Sequence, residues 1–340
     1  MKNSHLLTYL FSQTRFFAGY FVIGLVALLL LSGCESLGGS GEKPALPGER
    51  LSVLKLQQKL EPDIQPTAEN FSLPQARLNK NWPQAGGSAN NLMQHLALNN
   101  KALKSDWLTN IGKGSDSDRQ LITQPVIANK TVYTLDTNGI VSALAAEDGS
   151  IKWQVSIRPK NEERGPASGG VAYADGRLYI SDGYGFILAL SADDGKKIWS
   201  YAIGSPAYAA PTIDDGRVFV VTVANQTVAL NAKTGEVLWR HKGADEVIAL
   251  IGMPSPAVRD KTVYVAYNTG EIYALRVENG NVAWSDNMSG LKTALSGGLT
   301  RLRDIQGQII LDGDRLYLSS AAGQVVSLNA RSGRRIWVRD

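Results

Sequence analysis

Five stretches of this chain are versions of one another: "GIVSALAAEDGSIKW", "GFILALSADDGKKIW", "NQTVALNAKTGEVLW", "GEIYALRVENGNVAW" and "GQVVSLNARSGRRIW". They end at Trp153, Trp199, Trp239, Trp284 and Trp337, and with Trp107 ahead of them the rings recur at spacings of 46, 46, 40, 45 and 53 residues. A self-similar period of that length signals stacked supersecondary units rather than one irregular core. Inside each unit the spacing is fixed. An aromatic residue (Tyr133, Tyr179, Phe219, Tyr264, Tyr317) lies 20 residues before the Trp, and a glycine (Gly149, Gly195, Gly235, Gly280, Gly333) lies 4 before it. Length varies only between one Trp and the next aromatic, where loops are expected.

Each unit reads as four strands, as in Pro125 to Ala128, Thr131 to Asp136, Ile140 to Leu144 and Ile151 to Ile157, joined by polar turns rich in Asn, Asp and Gly. The middle strands are apolar on both faces ("VSAL", "ILAL", "TVAL"), so each sheet needs cover on both sides. Sheets of about 45 residues covered by like sheets are the blades of an all-β propeller. A Trp at the start of each outer strand can lie across the crevice between blades, where the turn just ahead of it offers backbone acceptors to the indole N–H. Burying ~200 Å² at ~25 cal/mol/Å² gives about 5 kcal/mol gross per ring. A cage of rings around one ligand requires convergence, whereas a fixed repeat distributes the rings. Trp107, Trp153, Trp199, Trp239, Trp284 and Trp337 are therefore assigned to blade docking.

The N-terminus is of another kind. Lys2 and Arg15 precede an apolar run from Phe16 to Leu31, followed by "LSGC" and "ESLGGSG", the pattern of an export signal. Leu31, Ser32, Gly33 and Cys34 resemble the lipobox of bacterial lipoproteins, whose cysteine becomes the lipidated first residue; acyl chains there hold a protein on a membrane without a spanning helix. Residues 1–33 are read as the signal peptide, 34–80 as the lipidated Cys and a flexible linker, and 81–340 as the propeller. Cys34 is the sole cysteine, which removes internal disulfides and thiolate metal sites. Without Lys2 and Arg15 the chain carries 33 basic against 31 acidic residues, no footprint for nucleic acid.

The pattern A-L-x-A-x-x-G-x-x-x-W resembles the tryptophan-docking repeat of the pyrroloquinoline-quinone (PQQ) propeller family. With the lipobox, the linker and "NWPQAGGSANN" (Asn81 to Asn91), the chain is similar to that family's lipoproteins of the outer-membrane β-barrel assembly (BAM) complex. The resemblance implies eight blades, against five complete units and an orphan outer strand at Trp107 here, so an open arc and a C-terminally truncated sequence are expected, with a naturally short ring of five or six blades as the alternative. It implies a scaffold on the periplasmic face of the outer membrane, assisting outer-membrane protein precursors and binding a POTRA domain of BamA. The positions matching the family's two docking loops are Arg164 in "RPKNEERGPAS" and Arg301 with Asp304 in "TRLRDIQGQ". Glu162 and Glu163 stand where the family has leucines, and Gln306 replaces an Asp. The alternative implied by the same family is a PQQ-dependent dehydrogenase with calcium and a catalytic carboxylate. No such constellation is visible: "GKGSDSD" lacks the glycine and distal glutamate of an EF-hand, and Asp175, Asp194 and Asp215 sit in Asp-Gly turns. No catalytic residue, metal or cofactor is assigned. A periplasmic propeller binding sugar, peptidoglycan or another protein is the remaining alternative.

Overall fold

The computed structural model describes residues 72–99, 102–160, 169–245, 252–288, 305–321 and 323–339. Within them the chain folds into five four-stranded antiparallel sheets in which each strand pairs with the next in sequence. Sheet 1 holds β1 (Val126–Ala128), β2 (Thr131–Leu135), β3 (Ile140–Ala145) and β4 (Ile151–Ser156). Sheet 2 holds β5 (Gly170–Ala174), β6 (Arg177–Ser181), β7 (Phe186–Ser191) and β8 (Lys197–Ala202). Sheet 3 has β9 (Thr212–Asp214), β10 (Arg217–Thr222), β11 (Gln226–Asn231) and β12 (Val237–Lys242). β13 (Ala257–Arg259), β14 (Thr262–Ala266), β15 (Glu271–Arg276) and β16 (Val282–Asn287) form sheet 4. β17 (Ile310–Asp312), β18 (Arg315–Ser319), β19 (Val325–Asn329) and β20 (Arg335–Arg339) form sheet 5. The strand boundaries read from the sequence agree with sheet 1 to within one residue.

The burial patterns explain the stack. The third strands read buried through the middle, as in β3 and β7, whereas outer strands β4 and β8 alternate exposed and half-buried. A strand buried on both faces has to be covered twice, and the neighbouring sheets provide that cover. Buried clusters join sheets 1 and 2 (Val141, Val171, Leu178), 2 and 3 (Ile187, Val218, Val228), 3 and 4 (Phe219, Val263, Leu275), and 4 and 5 (Ile272, Leu316, Leu328). Among the described residues no such cluster joins sheets 5 and 1.

The A-L pair of the motif has a geometric reason. In every sheet the ladder between third and outer strands shifts register at that pair: Ala143 opposes Trp153, but Leu144 opposes Ile151, leaving Lys152 as an extra residue. The same bulge falls after Ala189, Ala229, Ala274 and Ser327. A bulge re-aims a side chain and increases local twist; here it falls beside the Trp, and a small residue opposite leaves room for the ring.

Residues 81–91, the quoted "NWPQAGGSANN", cross the first strands of all five sheets. Trp82 exchanges backbone bonds with Ile127, Tyr173 N donates to Pro83 O, and the Gln84 side chain bonds Ile213 through both its amide atoms. Val258 N then donates to Ala89 O and Leu311 N to Asn90 O, while Asn91 Nδ2 donates to Pro256 O and Ile309 O. Inner strands that would each present an open edge are thereby tied together.

Candidate functional site

Four of the five rings of the repeat lie against the sheet that follows them. Trp153 Nε1 donates to Ala192 O at 3.1 Å, Trp199 Nε1 to Ala232 O at 3.1 Å, Trp239 Nε1 to Val277 O at 2.8 Å and Trp284 Nε1 to Ala330 O at 2.8 Å. The acceptor is therefore not in the turn just ahead of the ring, as the sequence reading has it, but in the matching turn of the next sheet. The reason is directional: a side chain on a sheet's face points away from its own ladder and meets the neighbour. The turn glycines follow the same rule. Gly280 has φ of 72°, and a Cβ there would lie 2.6 Å from Trp239 Cε3; Gly195 and Gly333 face Trp153 and Trp284 in the same way. Positive φ and the close ring both demand glycine at this point.

A second ring completes the unit. Tyr133 and Trp153 have centroids 6.1 Å apart, and the tyrosine O–H donates to Ala192 O, the same carbonyl that the indole uses. Tyr179 with Trp199 shares Ala232 O, and Tyr264 with Trp284 shares Ala330 O. Phe219 stands beside Trp239 without a hydroxyl to add. The sequence marked these aromatics by their spacing but carried no signal that the pair converges on one carbonyl.

Trp107 behaves as an outer-strand ring without a strand. Its Nε1 donates to Ala146 O at 3.2 Å, and Thr109 Oγ1 to Gly149 O at 2.8 Å, so it covers sheet 1 as Trp153 covers sheet 2. Residues 102–110 belong to no ladder among the described residues. Trp337 packs on Tyr317 at 6.0 Å, and among the described residues no carbonyl accepts its indole N–H.

Between sheets 3 and 4 sits a hydrogen-bonded aromatic cluster that the repeat pattern concealed. Tyr267 Oη, nearly inaccessible, lies 2.7 Å from Thr227 Oγ1 and 2.8 Å from His241 Nδ1. Burial pushes the Tyr267 phenol well above its usual range and holds His241 toward the neutral form. Burial and the neighbouring carboxylate raise Tyr273 to about 12. Burial would raise Glu271 too, but donation from Ala244 N, Thr269 Oγ1 and Tyr273 Oη outweighs it and keeps the carboxylate low. Replacing Tyr267 by Phe strands Thr227 and His241 in the crevice, and a loss of about 2 kcal/mol in urea unfolding is expected; an unchanged midpoint would contradict this role.

The remaining candidates fall as follows. Asp175 and Asp215 have positive φ and precede a glycine that also has positive φ, the geometry of a tight hairpin. Asp194 Oδ1 accepts Lys196 N in the turn between β7 and β8. Asp116 of "GKGSDSD" is engaged by Arg119, its guanidinium holding the carboxyl at about 2. Arg335 grips Asp286 of sheet 4 through two bonds of 2.7 and 2.8 Å. Among the described residues no three His, Cys, Asp or Glu side chains gather as a metal site, and no helix is long and apolar enough to cross a membrane. Cys34, Arg164, Arg301 and Asp304 lie outside the described residues.

Four-stranded sheets stacked face to face and locked by a ring from each onto the turn of the next define a tryptophan-docked β-propeller architecture. The sequence model of the family described as outer membrane protein assembly factor BamB matches residues 137–340, and the chain belongs to that family. Outer membrane protein assembly factor BamB of Yersinia pestis is 27% identical over 240 residues, covering 69% of this chain and 60% of that one. An uncharacterised protein of Rickettsia conorii is 30% identical over 217 residues, covering 64% and 52%. Among solved structures, BamB from Moraxella catarrhalis superposes with a TM-score of 0.56 at 27% identity, covering 64% of this chain and 63% of that one. A europium-containing methanol dehydrogenase, TM-score 0.59 at 18% identity over 76% of this chain and 58% of its own, shares the fold alone. The chain spans between about half and three-fifths of the length of these curated relatives.

Proposed function

We propose that this chain is a non-enzymatic scaffold lipoprotein of the outer-membrane β-barrel assembly complex, held at the periplasmic face by Cys34 and docking a POTRA domain of BamA. The observation that carries the reading is the family match over residues 137–340, in which the named relatives are assembly factors. The repeated rings are consistent with it: in this reading they are consumed in fastening sheet to sheet, which leaves surface loops as the part that recognises a partner. Arg164 and the pair Arg301 and Asp304 are the proposed contacts, and outer-membrane protein precursors are the proposed clients. No PQQ site is assigned.

The test is co-purification of the full lipidated chain with BamA. Arg164→Glu is expected to lower BamA recovery at least tenfold, the range for losing one charged anchor residue, with the circular dichroism spectrum unchanged. Full recovery with the variant removes Arg164 from the interface, and absence of BamA from the unmodified preparation overturns the assembly reading.

A further inference from the structure

Positions that carry rings between sheets 3 and 4 carry none between sheets 1 and 2. His241 lies two residues after its Trp, Tyr267 three after Tyr264, and Tyr273 eleven before Trp284. Their three rings pack at 4.5, 5.5 and 6.0 Å and close that crevice. The same repeat positions two crevices earlier, between sheets 1 and 2, hold Val155, Asp182 and Leu188. A cavity of about 430 Å³ remains there, floored by Val155, Ile157, Phe186, Leu188 and Leu190.

Asp182 lines this cavity at 3% exposure. Its Oδ1 accepts Phe186 N at 2.7 Å, but its buried Oδ2 has no hydrogen-bond partner among the described residues. The preceding repeat shows why. Asp136 occupies the matching place in sheet 1, and its Oδ2 accepts Lys113 N at 2.8 Å, six residues after Trp107. The residue six after Trp153 is Pro159, which has no N–H to give. A buried carboxylate oxygen without a donor is costly, and a ligand that brings one recovers the difference. Arg158, Lys160 and Lys197 also line the cavity, with both lysines exposed, and Asp182 is the sole acidic residue among the described lining residues.

The geometry points to this crevice as a binding site for an acidic peptide segment that inserts a tyrosine side chain. The ring would lie on the aliphatic floor, a turn of the Asp182 side chain would bring Oδ2, inaccessible in this structure, to its O–H, and flanking carboxylates would meet Lys160 and Lys197. A phenol is the group the protein itself places in the matching crevice, where Tyr267 contributes both ring and hydroxyl. The volume exceeds one ring and leaves room for adjoining main chain, within the size range of peptide and small-molecule pockets. This goes beyond the docking proposed above, and its test contains no BamA, so the two stand or fall separately.

The experiment titrates the full chain into fluorescein-labelled acetyl-Asp-Glu-Tyr-Glu-Asp-amide and follows anisotropy, in parallel with the peptide carrying Phe for Tyr and with one carrying Lys for each acidic residue. Saturable binding is expected, about tenfold weaker with Phe, the scale of one hydrogen bond to a charged acceptor, and weaker again with the lysine flanks. Leu188→Tyr, which puts a ring at Tyr273's repeat position, is expected to abolish binding. Lys197→Glu, on the exposed rim, is expected to weaken it several-fold without touching the core. No saturable binding, equal affinity for the Tyr and Phe peptides, or undiminished binding to both variants overturns the proposal.

Discussion

Replacing Trp239 by Ala is expected to lower stability by about 4 kcal/mol, within the range for deleting a large buried aromatic. Trp239 is the most buried of the described repeat tryptophans, at 7% exposure. It loses three things at once: its bond to Val277 O, its contact with the Gly280 turn, and its packing against Phe219 at 5.9 Å. The bond alone is worth about 1 kcal/mol, so the greater part is the void left between sheets 3 and 4. Stacked repeats owe their stability to nearest-neighbour interfaces, and this substitution weakens one interface in the middle of the stack. Urea unfolding should therefore show a lower midpoint and a transition that separates into two. A loss below about 1.5 kcal/mol with a single sharp transition would mean that the ring is not what joins the sheets.

The second large effect has the opposite sign. Asp182→Asn is expected to stabilise the protein at pH 7.5 by about 2 kcal/mol and to leave it nearly unchanged at pH 4. Burial raises the Asp182 carboxyl from 3.8 to about 6, only partly offset by backbone donors from Phe186, Tyr184 and Gly185. The folded state thus holds this proton more tightly than the unfolded chain. Stability linked to Asp182 is full below the unfolded value and is lost as pH rises from about 4 to 6, where the native carboxyl finally ionises. A shift of about two units corresponds to about 3 kcal/mol, of which the amide recovers most because it keeps an acceptor for Phe186 N without the charge. Urea midpoints for both proteins at pH 4, 5.5 and 7.5 measure this. A gap between them that does not widen with pH would contradict the assignment.

These two residues also mark what could and could not be read from the chain. The Trp, the turn glycine and the earlier aromatic declare themselves by fixed spacing, and the doubly apolar third strands require cover on both faces. The stack of four-stranded sheets follows from those facts alone. The partner of the indole N–H does not, because repeat spacing is blind to which copy of a turn a ring reaches. The aromatic cluster around Tyr267 escaped for a related reason: His241, Tyr267 and Tyr273 sit far apart in sequence at positions where other units carry unrelated side chains. Asp136 and Asp182 look alike in sequence, and only the contrast between Lys113 N and Pro159 tells a satisfied carboxylate from an unsatisfied one.

The claim that the Gly-x-x-x-Trp repeat fastens one sheet to the next is most directly tested by a series of Trp to Phe substitutions, which keep an aromatic ring and remove the indole N–H together with part of the ring's bulk, a loss of bulk common to all five positions. Trp153, Trp199 and Trp284 each bond a carbonyl of the next sheet, whereas Trp337 has no such bond among the described residues. Unfolding of this 340-residue chain should therefore show losses of about 1 kcal/mol at the first three. The loss should be larger at Trp239, whose acceptor Val277 O no tyrosine shares, and Trp337→Phe should fall about 1 kcal/mol short of the rest. Equal losses at all five positions would contradict the fastening, because the indole N–H would then contribute nothing across the crevice.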